Sequence, residues 1–146
     1  MKSYSSGYSD MEELKLILIV GPTASGKTAA SIYAATKLNG EIVSADSIQV
    51  YKGMDIGSAK PTMQERQGIP HHLMDAIDIN SPKFSVAEFR KMAGEAIEDI
   101  AGRGKQPIVV GGTGLYINSL VFPLNFTEVQ SDEKLRSELS EIEERQ

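Results

Sequence analysis

Cysteine and tryptophan are both missing from the 146 residues, and only 6 prolines stand beside 13 glycines. The lack of cysteine excludes disulfide bonds and any cysteine-ligated zinc site. Long apolar runs are missing too, since the longest, Leu16–Val20, falls far short of the roughly 20 residues that span a bilayer. The first residues show no export signal. These absences predict a cytoplasmic protein that does not cross a membrane.

An excess of positive charge is also absent, because 15 Lys and Arg stand against 20 Asp and Glu, for a net charge of −5. This balance argues against a protein that coats nucleic acid by bulk electrostatics, although a local basic site stays open. Hydrophobic residues at 40% and charged residues at 24% are ordinary globular values,. The length predicts one compact domain with a real core.

The first half of the chain has the pattern of a strand, a helix and a second strand. Lys15–Val20 is an apolar run typical of a parallel strand buried on both faces,. Lys27–Leu38 is rich in alanine and predicts a helix that ends at Asn39-Gly40,. The side chains expected to face inward are Ile32, Tyr33, Ala35 and Leu38. Glu41–Ser44 then predicts a second strand and completes a βαβ unit.

The second half begins with a long loop and returns to regular structure at a helix cap. Tyr51–Pro70 has no clear period, and its length suggests function,. Ser85 and Glu88 form a capping box before a helical pattern that continues to Gly102,. Pro107–Val110 predicts a strand, and Leu115–Phe122 predicts a helix. The order β-α-β-loop-α-β-α indicates a three-layer α/β fold with a mainly parallel sheet.

The two ends of the chain carry different expectations. Residues 1–13 are predicted to form a flexible arm, and residues 14–146 a single P-loop α/β core. Ser131–Gln146 has a helical pattern with a plausible N-cap but no stop signal,. We therefore expect the fold to be incomplete at its C-terminal end.

The strongest motif is the phosphate-binding pattern G-x-x-x-x-G-K-[ST] between the first strand and the first helix. Its backbone N–H groups and the helix N-terminus are suited to surround an anion, Lys27 adds a positive charge, and the Thr28 hydroxyl offers a ligand to Mg²⁺. The predicted phosphate-binding residues are Gly21, Pro22, Thr23, Ala24, Ser25, Gly26, Lys27 and Thr28.

A carboxylate that holds Mg²⁺ usually follows a later strand in nucleotide-hydrolysing P-loop proteins, and here Gly111-Gly112 stands in its place. The phosphates therefore need not belong to a hydrolysed nucleotide. Asp46 ends the second strand, where open α/β sheets bind their ligands, and is expected to face the P-loop. It is either a turn residue bonded to local backbone or a catalytic base.

Other polar residues favour ordinary structural explanations on position alone. Gln49 suits an adenine edge but is more often a loop residue. His71 and His72 are adjacent, so they point to different faces and favour a structural or substrate-loop role over a metal pair. Solvation is the default for the cationic side chains, which are Lys52, Lys60, Arg66 and Arg136,.

Several blocks together resemble the tRNA dimethylallyltransferase family over residues 14–136. They are Gly21–Thr28, Ser44-Ala-Asp-Ser47, Pro70-His-His-Leu73 and Val110-Gly-Gly-Thr-Gly-Leu-Tyr116. The block Gln49-Val-Tyr-Lys-Gly-Met-Asp-Ile-Gly-Ser-Ala-Lys-Pro61 is far more specific than the P-loop. The resemblance is to the N-terminal half of the family only, because its tRNA-gripping helical insertion and C-terminal part have no counterpart here.

The resemblance implies transfer of a dimethylallyl group from dimethylallyl diphosphate to N6 of the adenosine next to the anticodon in tRNA. The P-loop then holds the diphosphate leaving group with Mg²⁺. By the same resemblance Asp46 is the base, Thr23 lies by the bridging oxygen, and Arg136 lies near the diphosphate or the tRNA. The residues expected to contact tRNA are Asp46, Ser47, Ile48, Gln49, Thr113 and Arg136.

Alternatives remain open at this point. Adenylate isopentenyltransferases perform the same chemistry on free AMP, ADP or ATP. A small P-loop metabolite kinase would use Asp46 towards a hydroxyl group. A third hypothesis is a phosphate-binding fragment without catalysis. The family resemblance further implies a monomer that meets the tRNA anticodon loop mainly through the half that is not represented here.

Overall fold

The computed structural model describes residues 14–122, so the predicted arm at 1–13 and the predicted helix at 131–146, with Arg136, lie outside the described residues. Within them the helices are Lys27–Leu38 (α1), Val86–Gly102 (α2) and Gly114–Val121 (α3). The strands are Ile17–Val20 (β1), Gly40–Ser44 (β2), His71–His72 (β3) and Gln106–Gly111 (β4). None of the helices in this part of the chain is long and apolar enough to cross a membrane.

The strands form a parallel sheet in the order β1-β4-β2-β3. Val20 pairs with Gly111, and Ser44 pairs with Val110. The carboxyl ends of β1, β4 and β2 therefore reach the same edge of the sheet. The loops that leave these strands meet at that edge, where open α/β sheets bind ligands.

Helices cover both faces of the sheet, so the predicted three-layer α/β architecture is confirmed. On one face α1 packs Ile32 and Ala35 against Ile42 and Ile108. On the other face the core lies between the sheet and α2 with α3, and its buried side chains include Val43, Val109, Phe89, Ala93, Ile97, Ile100 and Tyr116. The Phe89 and Tyr116 rings stack with their centroids 4.1 Å apart, which joins α2 to α3.

Helix α2 follows the sequence prediction closely, because its first turn is fixed by local hydrogen bonds. The Ser85 hydroxyl accepts from the Glu88 backbone N–H, and the Glu88 carboxylate accepts from the Ser85 backbone N–H at 2.7 Å. This reciprocal pair satisfies two donors that a helix start leaves without partners. The bonds to the Ser85 backbone and side chain lower the pKa of the Glu88 carboxyl. Helix α1 likewise has its predicted bounds, with Asn39 left-handed at its C-terminal end.

The prediction that β1 is buried on both faces is wrong. Leu18 is 36% exposed and Val20 is 55% exposed. In the sheet formed by residues 14–122, β1 lies at the edge beside β4, and its Ile17 and Ile19 pack in the α1 core. Because side chains alternate along a strand, Leu18 and Val20 face the other side, where α2 packs over β2 and β4.

Two of the four side chains predicted to face inward on α1 are exposed, Tyr33 at 67% and Leu38 at 49%. With 3.6 residues per turn, neighbouring positions differ by about 100° around the axis. Tyr33 therefore lies well away from the stripe that Ile32 and Ala35 form. The face that α1 buries is narrower than its hydrophobic content suggests.

The long irregular segment predicted at 51–70 is confirmed, since these described residues hold no helix and share in a sheet only through an isolated bridge from Tyr51 to Ile77. The short strand β3 follows it and was not predicted. His71 and His72 pair with Ile42 and Val43 of β2. Two polar residues without apolar alternation give no strand signal, so only the tertiary pairing defines β3.

Candidate functional site

The loop between β1 and α1 has the shape of a phosphate-binding loop. Ala24 and Gly26 have positive φ angles of 62° and 82°, which curve the backbone into a concave turn. Gly26 is the N-cap of α1, and no side chain caps this end. The first N–H groups of a helix lack partners within it. Here they can point at an anion, and the helix dipole favours negative charge at the same place.

Lys27 lies back across this loop. Its ammonium donates to the Pro22 carbonyl oxygen and lies 3.4 Å from Ser25 Oγ. Such a position places one positive charge beside the concave backbone. A phosphate group that entered the loop would meet the ammonium group as well as the backbone donors.

A cleft of about 410 Å³ brings the P-loop together with the segment that follows β2. The expectation that Asp46 faces the P-loop is confirmed by this shared lining. The lining residues are Thr23, Ala24, Ser25, Gly26, Lys27, Thr28, Ala29, Asp46, Ile48, Gln49, Gly57, Ser58, Ala59, Val110 and Gly111. An anion site and a carboxylate therefore open onto one volume.

The hydrogen bonds of Asp46 confirm the hypothesis of a turn residue, while its role as a catalytic base stays a prediction. Its Oδ1 accepts hydrogen bonds from the backbone N–H groups of Ile48 at 2.8 Å and Gln49 at 3.1 Å, as in an Asx turn. These bonds fix the direction of the carboxylate. The side chain also lines the cleft, so the turn holds a carboxylate that opens onto the same volume as the P-loop.

Gln49 and Thr113 make contacts within the protein. The Gln49 amide accepts from Ser44 Oγ at 3.2 Å and donates to the Ser58 carbonyl oxygen at 2.9 Å. The Ser47 backbone N–H donates to Thr113 Oγ1 at 3.1 Å. Neither Thr113 nor Ser47 is among the residues that line the cleft, so this bond joins the segment after β4 to the segment after β2. The predicted tRNA contacts of Ser47, Ile48, Gln49 and Thr113 stay predictions.

The structure explains the glycine that replaces the expected carboxylate after β4. A Cβ added to Gly111 would lie 2.1 Å from the Ala45 carbonyl oxygen. Real Cβ atoms essentially never approach a backbone atom so closely. The end of β4 and the residue that follows β2 therefore lie in direct contact, and any side chain at Gly111 would force them apart.

Gly57, Ser58 and Ala59 form a wall of the cleft that sequence reasoning did not assign to the site. They belong to the long segment and lie next to Gln49 through the Ser58 carbonyl oxygen. Gly57 and Ala59 both have positive φ angles, 75° and 51°. These three residues belong to the specific block Gln49–Pro61, but neither the length of the segment nor that block assigned them a place in the site.

The histidine pair has structural partners. The His72 Nε2 lies 2.7 Å from a Glu41 carboxylate oxygen, and the His71 Nδ1 lies 2.8 Å from the Ile69 carbonyl oxygen. Burial lowers the pKa of His71, with Arg66 and His72 adding to this effect and the bond to Ile69 opposing it. Both imidazoles are engaged by their own chain, which agrees with the favoured structural role.

Solvation as the default for Lys60 is wrong. Its side chain is only 5% exposed and contacts two carboxylates, Asp55 and Asp75. Burial acts to lower the pKa of Lys60, but its hydrogen bonds to these carboxylates outweigh that effect and raise the pKa. The ammonium is therefore a fixed part of the long segment.

This fold and this loop define an α/β protein of the P-loop class. A family model described as IPP transferase matches residues 49–146. Two curated relatives are both named tRNA dimethylallyltransferase. The one from Thermoanaerobacter sp. is 51% identical over 129 residues, which cover 88% of this chain and 41% of the relative. The one from Exiguobacterium sp. is 54% identical over 134 residues, which cover 92% and 43%.

Solved structures agree with this result. A tRNA Δ(2)-isopentenylpyrophosphate transferase from Staphylococcus epidermidis matches with a TM-score of 0.72 and 52% identity, over 88% of this chain and 41% of that one. A tRNA isopentenylpyrophosphate transferase from Bacillus halodurans matches with 0.76 and 48%, over 92% and 44%. The chain belongs to the IPP transferase family. It spans about two fifths of the length of the curated relatives it matches.

Proposed function

We propose that this chain carries the donor site and the general base of a tRNA dimethylallyltransferase. The reaction transfers the dimethylallyl group of dimethylallyl diphosphate to N6 of the adenosine next to the anticodon and releases diphosphate. The observation that carries the proposal is the single cleft in which the P-loop faces Asp46. The names of the relatives support tRNA as the acceptor.

The P-loop end of the cleft is suited to the diphosphate. The backbone donors at the start of α1 and the Lys27 ammonium would neutralise the charge that develops on the leaving group. Thr23 also lines the cleft, and we assign it to the bridging oxygen. Stabilisation here acts on the bond that breaks, because negative charge grows on the diphosphate as the carbon–oxygen bond lengthens.

The Asp46 end of the cleft is suited to the attacking amine. The N6 lone pair forms the new bond to C1 of the dimethylallyl group, and the C1–O bond breaks with its electrons leaving on the diphosphate. The proton lost from N6 passes to the Asp46 carboxylate. Because Oδ1 is held by two backbone N–H groups, the carboxylate keeps its direction while it accepts the proton.

Mg²⁺ fits the oxygen donors of this cleft. Within residues 14–122 no group of three or more His, Cys, Asp or Glu side chains could hold a metal by itself. Mg²⁺ commonly binds through one or two protein oxygens together with substrate phosphates and water. Thr28 lines the cleft and would supply the hydroxyl ligand. When bound, the ion would add positive charge beside the diphosphate.

The proposed acceptor also sets the expected location and partner. A tRNA substrate implies a reaction in the cytoplasm, with the chain meeting the anticodon loop beside Asp46. Of the predicted contacts, Ile48 and Gln49 line this end of the cleft, Ser47 lies between Asp46 and Ile48 in the chain, and Ile48 is 44% exposed. The proposal includes the predicted monomeric state of the protein.

The first test is calorimetric titration with Mg²⁺ and either dimethylallyl thiodiphosphate, which does not react, or ATP. We expect the thiodiphosphate to bind more tightly than ATP. Lys27→Ala should weaken its binding by roughly 10-fold to 100-fold, because a charge-assisted contact to phosphate is lost. Lys37→Ala is the matched control, since Lys37 lies in the last turn of the same helix and should leave the affinity unchanged.

Two results would contradict the proposal. Tighter binding of ATP would favour the small metabolite kinase, with Asp46 acting towards a hydroxyl group. Equal weakening by Lys27→Ala and Lys37→Ala would show that the affinity does not come from the P-loop. An assay of prenyl transfer by the same sample, to a tRNA transcript or to AMP, then separates the two acceptor classes. Asp46→Asn should abolish the transfer.

A further inference from the structure

Lys60 stands at the centre of the long segment. Its ammonium donates to the Tyr51 carbonyl oxygen at 2.7 Å, to Asp55 Oδ1 at 3.0 Å and to Asp75 Oδ1 at 2.6 Å. A lysine ammonium has three N–H donors, so every donor has a partner. Because the side chain is 5% exposed, these bonds replace the water that the charge would otherwise bind.

The acceptors of Lys60 lie on both sides in sequence of the wall of the cleft, which is formed by Gly57, Ser58 and Ala59. Tyr51 and Asp55 precede this wall, and Lys60 itself follows it directly. The Ser58 hydroxyl donates to the Asp55 carbonyl oxygen at 3.2 Å. The lysine therefore closes residues 51–60 into a short loop whose inner turn faces the P-loop.

The wall has a backbone conformation that needs such support. Ala59 has a φ of 51°, a left-handed value that costs energy for any residue with a Cβ. Strained residues of this kind persist when surrounding contacts determine their conformation, and they concentrate at functional sites. Ala59 precedes Lys60 directly in the chain, so the bonds that hold the Lys60 side chain restrict the backbone next to Ala59.

The wall is joined to the segment that holds Asp46. The Ser58 carbonyl oxygen accepts from the Gln49 amide, and the Gln49 backbone N–H donates to Asp46 Oδ1. Displacement of the wall would therefore remove a partner of Gln49 beside the carboxylate. The P-loop at residues 21–28 has no hydrogen bond or ion pair to Lys60 among the described residues.

We propose that Lys60 is a positioning residue that fixes the wall at residues 57–59 and, through Gln49, the acceptor end of the cleft. This inference rests on the proposed function only for the assignment of that end to the acceptor. It predicts that loss of Lys60 alters the wall and Gln49 while the diphosphate site at the P-loop stays intact.

The test compares Lys60→Met with Lys52→Met, which removes an exposed lysine of the same segment. In Lys60→Met we expect amide hydrogen exchange at residues 52–60 to be about 10-fold faster, since charge-assisted bonds are lost. The NMR signal of the Gln49 side-chain amide should shift. Exchange in β2 and β4 and the affinity for dimethylallyl thiodiphosphate should each stay within about twofold of wild type, and Lys52→Met should change none of these readouts.

An unchanged Gln49 signal would overturn the proposal, and so would faster exchange spread evenly over β2 and β4, because Lys60 would then contribute only overall stability. If Lys60→Met does not fold, Asp55→Ala removes one acceptor of Lys60, the carboxylate at 3.0 Å, and should speed the same local exchange by about threefold. Failure of the proposed function has a different signature, since binding of the thiodiphosphate would then not depend on Lys27.

Discussion

Two clusters of side chains are built around a buried charge. They differ in the sign of that central charge and in how far away in sequence its partners lie. Glu41 is an anion bonded to the cations Arg103 and Lys105 and to the imidazole of His72, which lie 62, 64 and 31 residues away in sequence. Lys60 is a cation whose three acceptors lie 9, 5 and 15 residues away. The first cluster joins distant elements, whereas the second folds one segment back on itself.

This difference predicts different consequences for the molecule. The Glu41 side chain is 2% exposed, and its partners come from β3, the end of α2 and the approach to β4. Loss of Glu41 therefore affects the sheet as a whole. Loss of Lys60 should affect the cleft wall alone. The comparison separates a cluster that determines global stability from one that positions a site.

The largest expected effect follows from Glu41→Gln. The Glu41 carboxylate binds Arg103 through two bonds of 2.6 Å and 2.8 Å and Lys105 through one of 2.8 Å. Breaking a buried ion pair on one side typically costs 3–5 kcal/mol. Because Arg103 and Lys105 are 41% and 35% exposed and can regain water, we expect a loss of about 3 kcal/mol, measured by urea unfolding.

Asp99→Asn is the matched control for this variant. Asp99 pairs with the same guanidinium but is 62% exposed. Exposed pairs of this kind contribute little, so the expected loss is below about 0.5 kcal/mol. Equal losses in the two variants would remove the distinction between a buried and an exposed partner of Arg103.

The pH dependence of stability gives the next largest effect. The bond to Arg103 acts first to lower the pKa of Glu41, burial opposes it, and Lys105 and His72 lower it further, so the pKa lies well below its ordinary value of 4.5. Stability from a lowered carboxyl pKa is fully present above the unfolded pKa and is lost as pH falls towards the folded pKa. Between pH 6 and pH 3 the wild type should lose about 2 kcal/mol from this group.

Glu41→Gln should lack this contribution, so its unfolding free energy should approach that of the wild type as the pH falls. Urea unfolding of both proteins at pH 6, 4.5 and 3 measures the difference. A constant difference over this range would show that Glu41 does not titrate with the lowered pKa.

Features that depend on neighbouring residues could be predicted from the sequence, whereas contacts between distant residues could not. Capping boxes, apolar runs and the P-loop are local patterns, and they predicted α1, α2, β4 and the loop at 21–28 nearly to the residue. The position of Asp46 could also be predicted from the sequence, because the carboxyl end of a parallel strand is a defined place in the fold. Side-chain contacts between residues 31 to 64 positions apart leave no local pattern, so the sequence indicates Glu41 only as part of a strand.

The wall at Gly57–Ala59 and the role of Lys60 were missed for another reason. An irregular segment has no period that says which of its side chains face inward. A lysine in such a segment is solvated by default, and only the carbonyl and two carboxylates around it in space reverse that expectation. The exposed face of β1 was missed because an apolar run does not reveal whether a strand lies at an edge.

The smallest expected effect concerns the third partner of Glu41. His72 contributes one contact of 2.7 Å and is 29% exposed, while the two bonds from Arg103 and the one from Lys105 remain without it. His72→Gln should therefore cost only about 0.5–1 kcal/mol of unfolding free energy.

His71→Gln is the matched control on the same short strand, since His71 contacts the Ile69 carbonyl oxygen and not the carboxylate. In a Glu41→Gln background the cost of His72→Gln should vanish while that of His71→Gln persists, since only coupled residues depart from additivity. A cost of His72→Gln that survives in this background would place the imidazole outside the cluster and leave Glu41 with two partners.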